Sequence, residues 1–175
     1  MERENLFNVI KTRHSCRAYS SRKVEEEKLD KVIEAGIYAP TGMNKQCTIF
    51  LAIQDEKTVQ RLSRLNASIM GRDGDPFYGA KTVVVVLAKK ESRTYLYDGS
   101  LAAGYMLLEA DALGLASCWI HRAKESFESE EGKAILKEAG ITDEVEGIAN
   151  IILGYDDETN PKPHAKSSEG RIFKL

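Results

Sequence analysis

The stretch Thr82-Val83-Val84-Val85-Val86-Leu87-Ala88 constrains most strongly what this chain can fold into. β-Branched residues favour extended backbone. A strand with no polar residue at alternate positions must be covered on both faces. Helices are therefore needed on each side of it, and the rest of the chain supplies them. Leu6, Phe7, Val9 and Ile10 recur at helical spacing over residues 4–13, as do Leu29, Val32, Ile33 and Ile37 over 25–38. Glu25, Glu26 and Glu27 fall in the first turn of that second helix, where its dipole favours anions. Pro40 blocks its continuation. Further helices are expected over 55–69, 98–113 and 130–139, with Gly114 and Gly140 as stops and Ser129 as a cap. Strands are expected over 48–54, 117–120 and 147–155. This order lacks the regular alternation of a doubly wound fold and predicts an α+β domain, with helices layered around a central sheet.

At 175 residues the chain is long enough for one domain with a substantial core. A net charge of -2 argues against bulk nucleic-acid binding, which needs a basic excess. No apolar run approaches the roughly 20 residues that span a bilayer. Met1-Glu2-Arg3-Glu4-Asn5 lacks a secretory apolar core, so the expected location is cytoplasmic, without membrane or nucleic-acid partners. Cys16, Cys47 and Cys118 form no CxxC pair, and His14, His121 and His164 show no ligand spacing, so no metal site is expected.

Two segments carry chemistry. Arg13-His14-Ser15-Cys16-Arg17-Ala18-Tyr19 packs two guanidinium groups, an imidazole and a hydroxyl just after an apolar helical pattern. Arg offers a planar fork of donors and Ser a neutral hydrogen bond, which suits a phosphate. Basic residues at a helix C-terminus also complement its dipole without binding anything. Ala39-Pro40-Thr41-Gly42-Met43-Asn44-Lys45-Gln46 is a loop ending in two amide side chains, able to meet the edge of a flat heteroaromatic ring. A phosphate at one end and a polar ring edge at the other describe a mononucleotide such as FMN. Cys16, with no transfer motif around it, is read as a structural thiol. Gly74-x-x-x-x-Gly79-Ala80-Lys81-Thr82 has one residue too many for a phosphate-cradling GxxxxGK[ST] loop, and it precedes a strand instead of opening a helix. It is read as a loop entering the buried strand. Ala102, Ala103, Gly104, Ala110 and Ala112 give helix 98–113 small side chains, suited to close packing within the subunit or against a second one.

Taken together, Arg13-His14-Ser15-x-Arg17-x-Tyr19, Ala39-Pro40-Thr41-Gly42-Met43-Asn44-x-Gln46, Gly114-Leu115-Ala116-Ser117-Cys118-Trp119-Ile120 and Ile152-Leu153-Gly154-Tyr155, followed by a Lys-Pro tail, resemble the nitroreductase family of FMN-dependent flavoproteins. The resemblance implies a central, mostly antiparallel sheet flanked by helices and an intertwined homodimer. Residues 1–155 would form the FMN-binding domain, and the tail 156–175 would wrap the partner subunit. Arg13, His14, Ser15 and Arg17 would contact the phosphate or the N1/C2 side of the flavin. Pro40, Thr41, Gly42, Asn44 and Gln46 would reach it from the other subunit. Cys118, Trp119, Ile120 and His121 would lie along the ring, and His164 or Lys166 would reach the phosphate from the tail. Lys162-Pro163-His164 stands where the family often has a Lys-Pro-Arg run, and Lys81 where many members have proline. The short Met70–Gly79 segment stands where longer members insert helices over the flavin, which implies a more open site. The implied activity is two-electron transfer from NAD(P)H to a nitroaromatic, quinone or similar acceptor by ping-pong exchange, with no catalytic side chain. Same-fold dehalogenation or dehydrogenation, and FMN binding without turnover, are the alternatives.

Overall fold

The computed structural model describes residues 3–160 and 166–175. Helices α1 (Arg3–Thr12) and α2 (Glu26–Ile37) precede strand β1 (Thr48–Ile53), with a single 3-10 turn at Gly42–Asn44 between them. Then follow α3 (Glu56–Met70), β2 (Thr82–Lys89), α4 (Tyr95–Ala112), β3 (Ala116–Ile120), α5 (Ala123–Glu128), α6 (Glu130–Glu138) and β4 (Val145–Gly154). The sheet runs β1-β2-β4-β3, and every neighbouring pair of strands is antiparallel.

The valine run does what its composition requires. β2 is central, and successive side chains leave on opposite faces. Val84, Val86 and Ala88 join Leu29 and Val32 of α2 and Ala102, Ala103, Met106 and Ala110 of α4. Val83, Val85 and Leu87 join Val59 and Leu62 of α3, Phe77, Phe127 of α5 and Ile135 of α6. The molecule is thus three-layered: α2 and α4, then the sheet, then α3, α5 and α6. Between the pairs Val86–Ala149 and Leu87–Gly147, Ile148 of β4 is left without a partner, a bulge in β4 that locally strengthens the twist.

The caps follow the sequence. Asp55 Oδ2 accepts the Thr58 N–H at 2.9 Å, and Ser129 Oγ accepts that of Gly132 at 3.1 Å. Gly114 and Gly140 take the left-handed φ of 71° and 73° that end their helices. Two features differ from expectation. Helix α4 begins at Tyr95, not at residue 98, because the Asp98 N–H already closes a turn on the Thr94 carbonyl at 2.9 Å. Helix α5 was not expected at all. It is too short to show periodicity, and it docks through Ala123, Ser126 and Phe127.

The small residues of α4 also resolve. Ala102, Ala103 and Ala110 are buried against the subunit's own sheet. The outward face of α4 instead carries Tyr97, Leu101 and Tyr105, all exposed, beside the exposed Leu6, Phe7 and Ile10 of α1. Between these helices lies an apolar groove of about 370 Å³, lined by Leu6, Val9, Ile10, Ala35, Tyr105 and Leu108 among others. Among the described residues no helix is long and apolar enough to cross a membrane.

Candidate cofactor site

Helix α1 ends at Thr12, and the chain then turns along the outer edge of β3. Arg13 still donates its N–H to the Val9 carbonyl at 3.0 Å, while His14 Nδ1 lies 3.3 Å from the Thr12 carbonyl. Ser15 forms a parallel bridge with Ser117, and the Cys16 N–H donates to the Ser117 carbonyl at 3.0 Å. β3 is an edge strand, and among the described residues this is the one bridge on its outer side. The segment is held from below by Tyr19, whose hydroxyl donates to the Cys16 carbonyl at 3.2 Å. Gly154 leaves room for that ring, since a Cβ there would lie 2.7 Å from Tyr19 Cδ1.

Burial pushes the Cys118 thiol up, and the Ser15 hydroxyl and the positive charges of Arg17 and Arg13 oppose it. Arg13 is half-buried and Arg17 exposed, so both guanidinium groups are accessible to an anion. Beside them is a cavity of about 200 Å³ lined by His14, Cys16, Asp111, Ser117 and Asp156 among others. Burial raises the Asp111 carboxyl against the pull of Thr12, His14 and Arg13. This donor set fits a phosphoryl or polar ring-edge group.

Asn160 is a residue that sequence reasoning missed. Its Oδ1 accepts the Arg17 N–H at 2.6 Å, and its Nδ2 donates to the Ala18 carbonyl at 3.0 Å and to Asp156 Oδ1 at 2.8 Å. It fixes the backbone that carries Arg17. The Asp156-Asp157…Asn160 run, rich in residues that fold back on the backbone, was the available signal.

The second segment lies elsewhere. Pro40, Asn44 and Gln46 are exposed, and Thr41 and Gly42 are half-buried. The Gln46 N–H donates to Thr41 Oγ1 at 3.0 Å, and Gln46 Nε2 to Asn44 Oδ1 at 3.3 Å. The loop is anchored at the start of α4, where Asp98 Oδ1 accepts the Gly42 N–H at 3.0 Å. The first segment is anchored near the other end, where Thr12 Oγ1 donates to Asp111 Oδ2 at 3.4 Å. Asp98 and Asp111 stand roughly 20 Å apart along the helix at about 1.5 Å per residue. Within one subunit the two segments therefore do not meet.

The remaining candidates divide. Cys118 and Ile120 are buried among Tyr19, Phe77 and Phe127. Trp119 packs partly buried on the α2/α4 side, and His121 is exposed with its carbonyl accepting from Asn66 Nδ2 at 2.8 Å. Lys166 is exposed. His164 lies outside the described residues. Burial also pushes the Cys16 thiol up, which disfavours a thiolate nucleophile. Cys16→Ser is accordingly expected to keep FMN uptake and turnover near wild type, as read by flavin fluorescence and reduced-nicotinamide oxidation. Complete loss of turnover with flavin still bound contradicts this.

The helix–sheet–helix α+β domain thus carries Arg13, Ser15 and Arg17 on a turn along an edge strand and a separate polar loop at the start of α4. The profile described as the nitroreductase family matches residues 10–75. A protein of Archaeoglobus fulgidus with the provisional name NADH dehydrogenase/NAD(P)H nitroreductase is 28% identical over 90% of this chain and 95% of its own length. A crystal structure of a nitroreductase with bound FMN from Bacteroides fragilis superposes with a TM-score of 0.88 at 26% identity, covering 97% of this chain and 98% of that one. An FMN-dependent nitroreductase from Clostridium difficile gives a TM-score of 0.80 at 28% identity, covering 97% and 99%. These matches support membership of the nitroreductase family.

Proposed function

We propose that this chain binds one FMN per subunit in a homodimer and passes two electrons from NAD(P)H to a nitroaromatic, quinone or similar small acceptor. The observation that carries this is the bridge that seats Ser15 on the outer edge of β3, with Arg13 and Arg17 two residues to either side, in a fold shared with structures described as FMN-bound or FMN-dependent. FMN, when bound, supplies the two-electron chemistry between donor and acceptor. The chain binds and orients it. Arg13, Arg17 and Ser15 hold its anionic or carbonyl end, with His14 beside them. Cys118, Trp119, Ile120 and His121 lie along the ring. Positive charge from Arg13 and Arg17 near the ring favours its anionic reduced form.

The dimer follows from two further observations. The polar loop is too far along α4 to serve the flavin of its own subunit, so Pro40, Thr41, Gly42, Asn44 and Gln46 serve the partner's. The exposed apolar face of α1 and α4 is large enough to need a cover, and a second copy related by a two-fold axis provides it. The tail, residues 156–175, begins on its own subunit, where Asn160 holds Arg17, and its end, with exposed Ile172, Phe173 and Leu175, extends over that partner, with His164 or Lys166 near the phosphate.

Steady-state kinetics test the reaction. Varying NADH or NADPH against a quinone or nitroaromatic is expected to give parallel reciprocal lines, since both substrates share one flavin face. Intersecting lines contradict the shared face. Absence of turnover with FMN bound contradicts the catalytic reading. A second acceptor class has its own support: an iodotyrosine deiodinase of Thermotoga neapolitana is 23% identical over 90% of this chain and 91% of its length. Release of halide from a halogenated phenol in the same assay, in place of quinone reduction, would favour that chemistry.

A further inference from the structure

Resting on that flavin reading, we propose that Asp98 is a positioning residue: it holds the Thr41–Gln46 loop in the shape that presents Asn44 and Gln46 to the ring edge bound by the other subunit. Asp98 is only 3% exposed, and among the described residues no Lys or Arg pairs with it. Its partners are donors that bracket the loop. Oδ1 accepts the Gly42 N–H at 3.0 Å, and Oδ2 accepts the Cys47 thiol at 3.2 Å and the Thr94 hydroxyl at 2.9 Å. A buried carboxylate without a cation is costly unless its hydrogen bonds compensate.

The loop itself is strained. Met43, Asn44 and Gln46 sit at φ of 51°, 54° and 48°, left-handed positions that side-chain-bearing residues disfavour. Such conformations persist only where surrounding structure enforces them, and they cluster where a ligand is met. The fit against α4 is tight as well, because a Cβ on Gly42 would overlap Thr94 Oγ1. The exposed amides of Asn44 and Gln46 are thus aimed by a buried anchor that itself touches no flavin. An acid in the first turns of α4 also complements the helix dipole. That role alone requires neither the bond to Gly42 nor the strained loop.

The test uses the full-length chain with Asp98→Ala, Asp98→Asn, Gly42→Ala and the double variant Asp98→Ala/Gly42→Ala. FMN affinity is read by flavin fluorescence quenching, and the ring environment by visible circular dichroism at saturating FMN. Asp98→Ala and Gly42→Ala are each expected to weaken binding about tenfold and to change the visible spectrum. Asp98→Asn, which keeps one acceptor, is expected to fall between. The double variant should bind no more weakly than the worse single, because both act through one loop. If Asp98→Ala does not fold, Asp98→Asn and Gly42→Ala decide the matter. Wild-type affinity and spectrum in those two variants, or additive losses, overturn the inference. A wild-type chain that takes up no FMN overturns the flavin reading itself, whereas FMN uptake with unchanged variants overturns this inference alone.

Discussion

Replacing Arg13 or Arg17 with alanine is expected to weaken FMN binding by roughly tenfold to a hundredfold. Each change removes a charge-assisted hydrogen bond, worth about 1.5–3 kcal/mol. Every 1.4 kcal/mol or so is a factor of ten in affinity. Arg13 should show the larger effect, because it is half-buried while Arg17 is exposed to solvent screening. Arg22 is the control. It lies a few residues outside the motif, pairs with Glu25 and stacks 3.9 Å from the Tyr155 ring centre. Arg22→Ala should leave FMN affinity unchanged. Fluorescence titration of the three variants separates these outcomes, and equal behaviour of all three would show that the motif does not bind the cofactor.

Gly147→Ala is expected to produce a large loss of stability. Gly147 lies in β4 where α5 crosses it, and a Cβ there would overlap the Ala123 carbonyl, which is backbone and cannot swing aside. Overpacking of a tight core costs about 1–3 kcal/mol, with this site at the upper end. In a domain of this size each kcal/mol lowers Tm by roughly 2–4 °C, so thermal melting should shift down by about 6–12 °C. Gly104, which has open space where its Cβ would stand, supplies the comparison. Gly104→Ala sits within α4 and should raise stability slightly, because alanine is the better helix former. Equal melting of the wild type and the Gly147→Ala variant would refute the packing described between α5 and β4.

Much of the fold was legible because local chemistry and tertiary need agree. The valine run of β2 could only be a strand covered on both faces, and the periodic segments of α2, α3 and α6 each present one apolar stripe to match. The Arg13–Tyr19 turn was legible as a cluster of hydrogen-bond donors because they are adjacent in sequence. Other features depend on distant residues. Helix α5 has six residues and no periodic signal, and it exists because Gly147 leaves a seat for it. Asp98 reads in sequence as an ordinary acid in the first turns of a helix. Its role appears only when α4 brings it under Gly42 and Cys47. Its carboxyl sits below the usual aspartate range: burial raises it, and the bonds from Gly42, Cys47, Thr94 and Ser92 more than offset that. Its stabilising contribution is therefore complete above the ordinary aspartate value and is lost only as pH falls through the depressed one. Asn160 was hidden in the same way, since its partners stand at Arg17 and Ala18.

Under the proposed function, the separation of the two segments along α4 makes assembly part of the site. The most direct test is sedimentation velocity of the purified protein with FMN added, followed at the visible absorbance of the flavin. The account predicts a single coloured species of about 39 kDa, twice the 19.5 kDa chain, carrying two FMN. Flavin sedimenting with a stable monomer would contradict the shared site, and a colourless boundary with all the FMN left free would contradict the flavin itself.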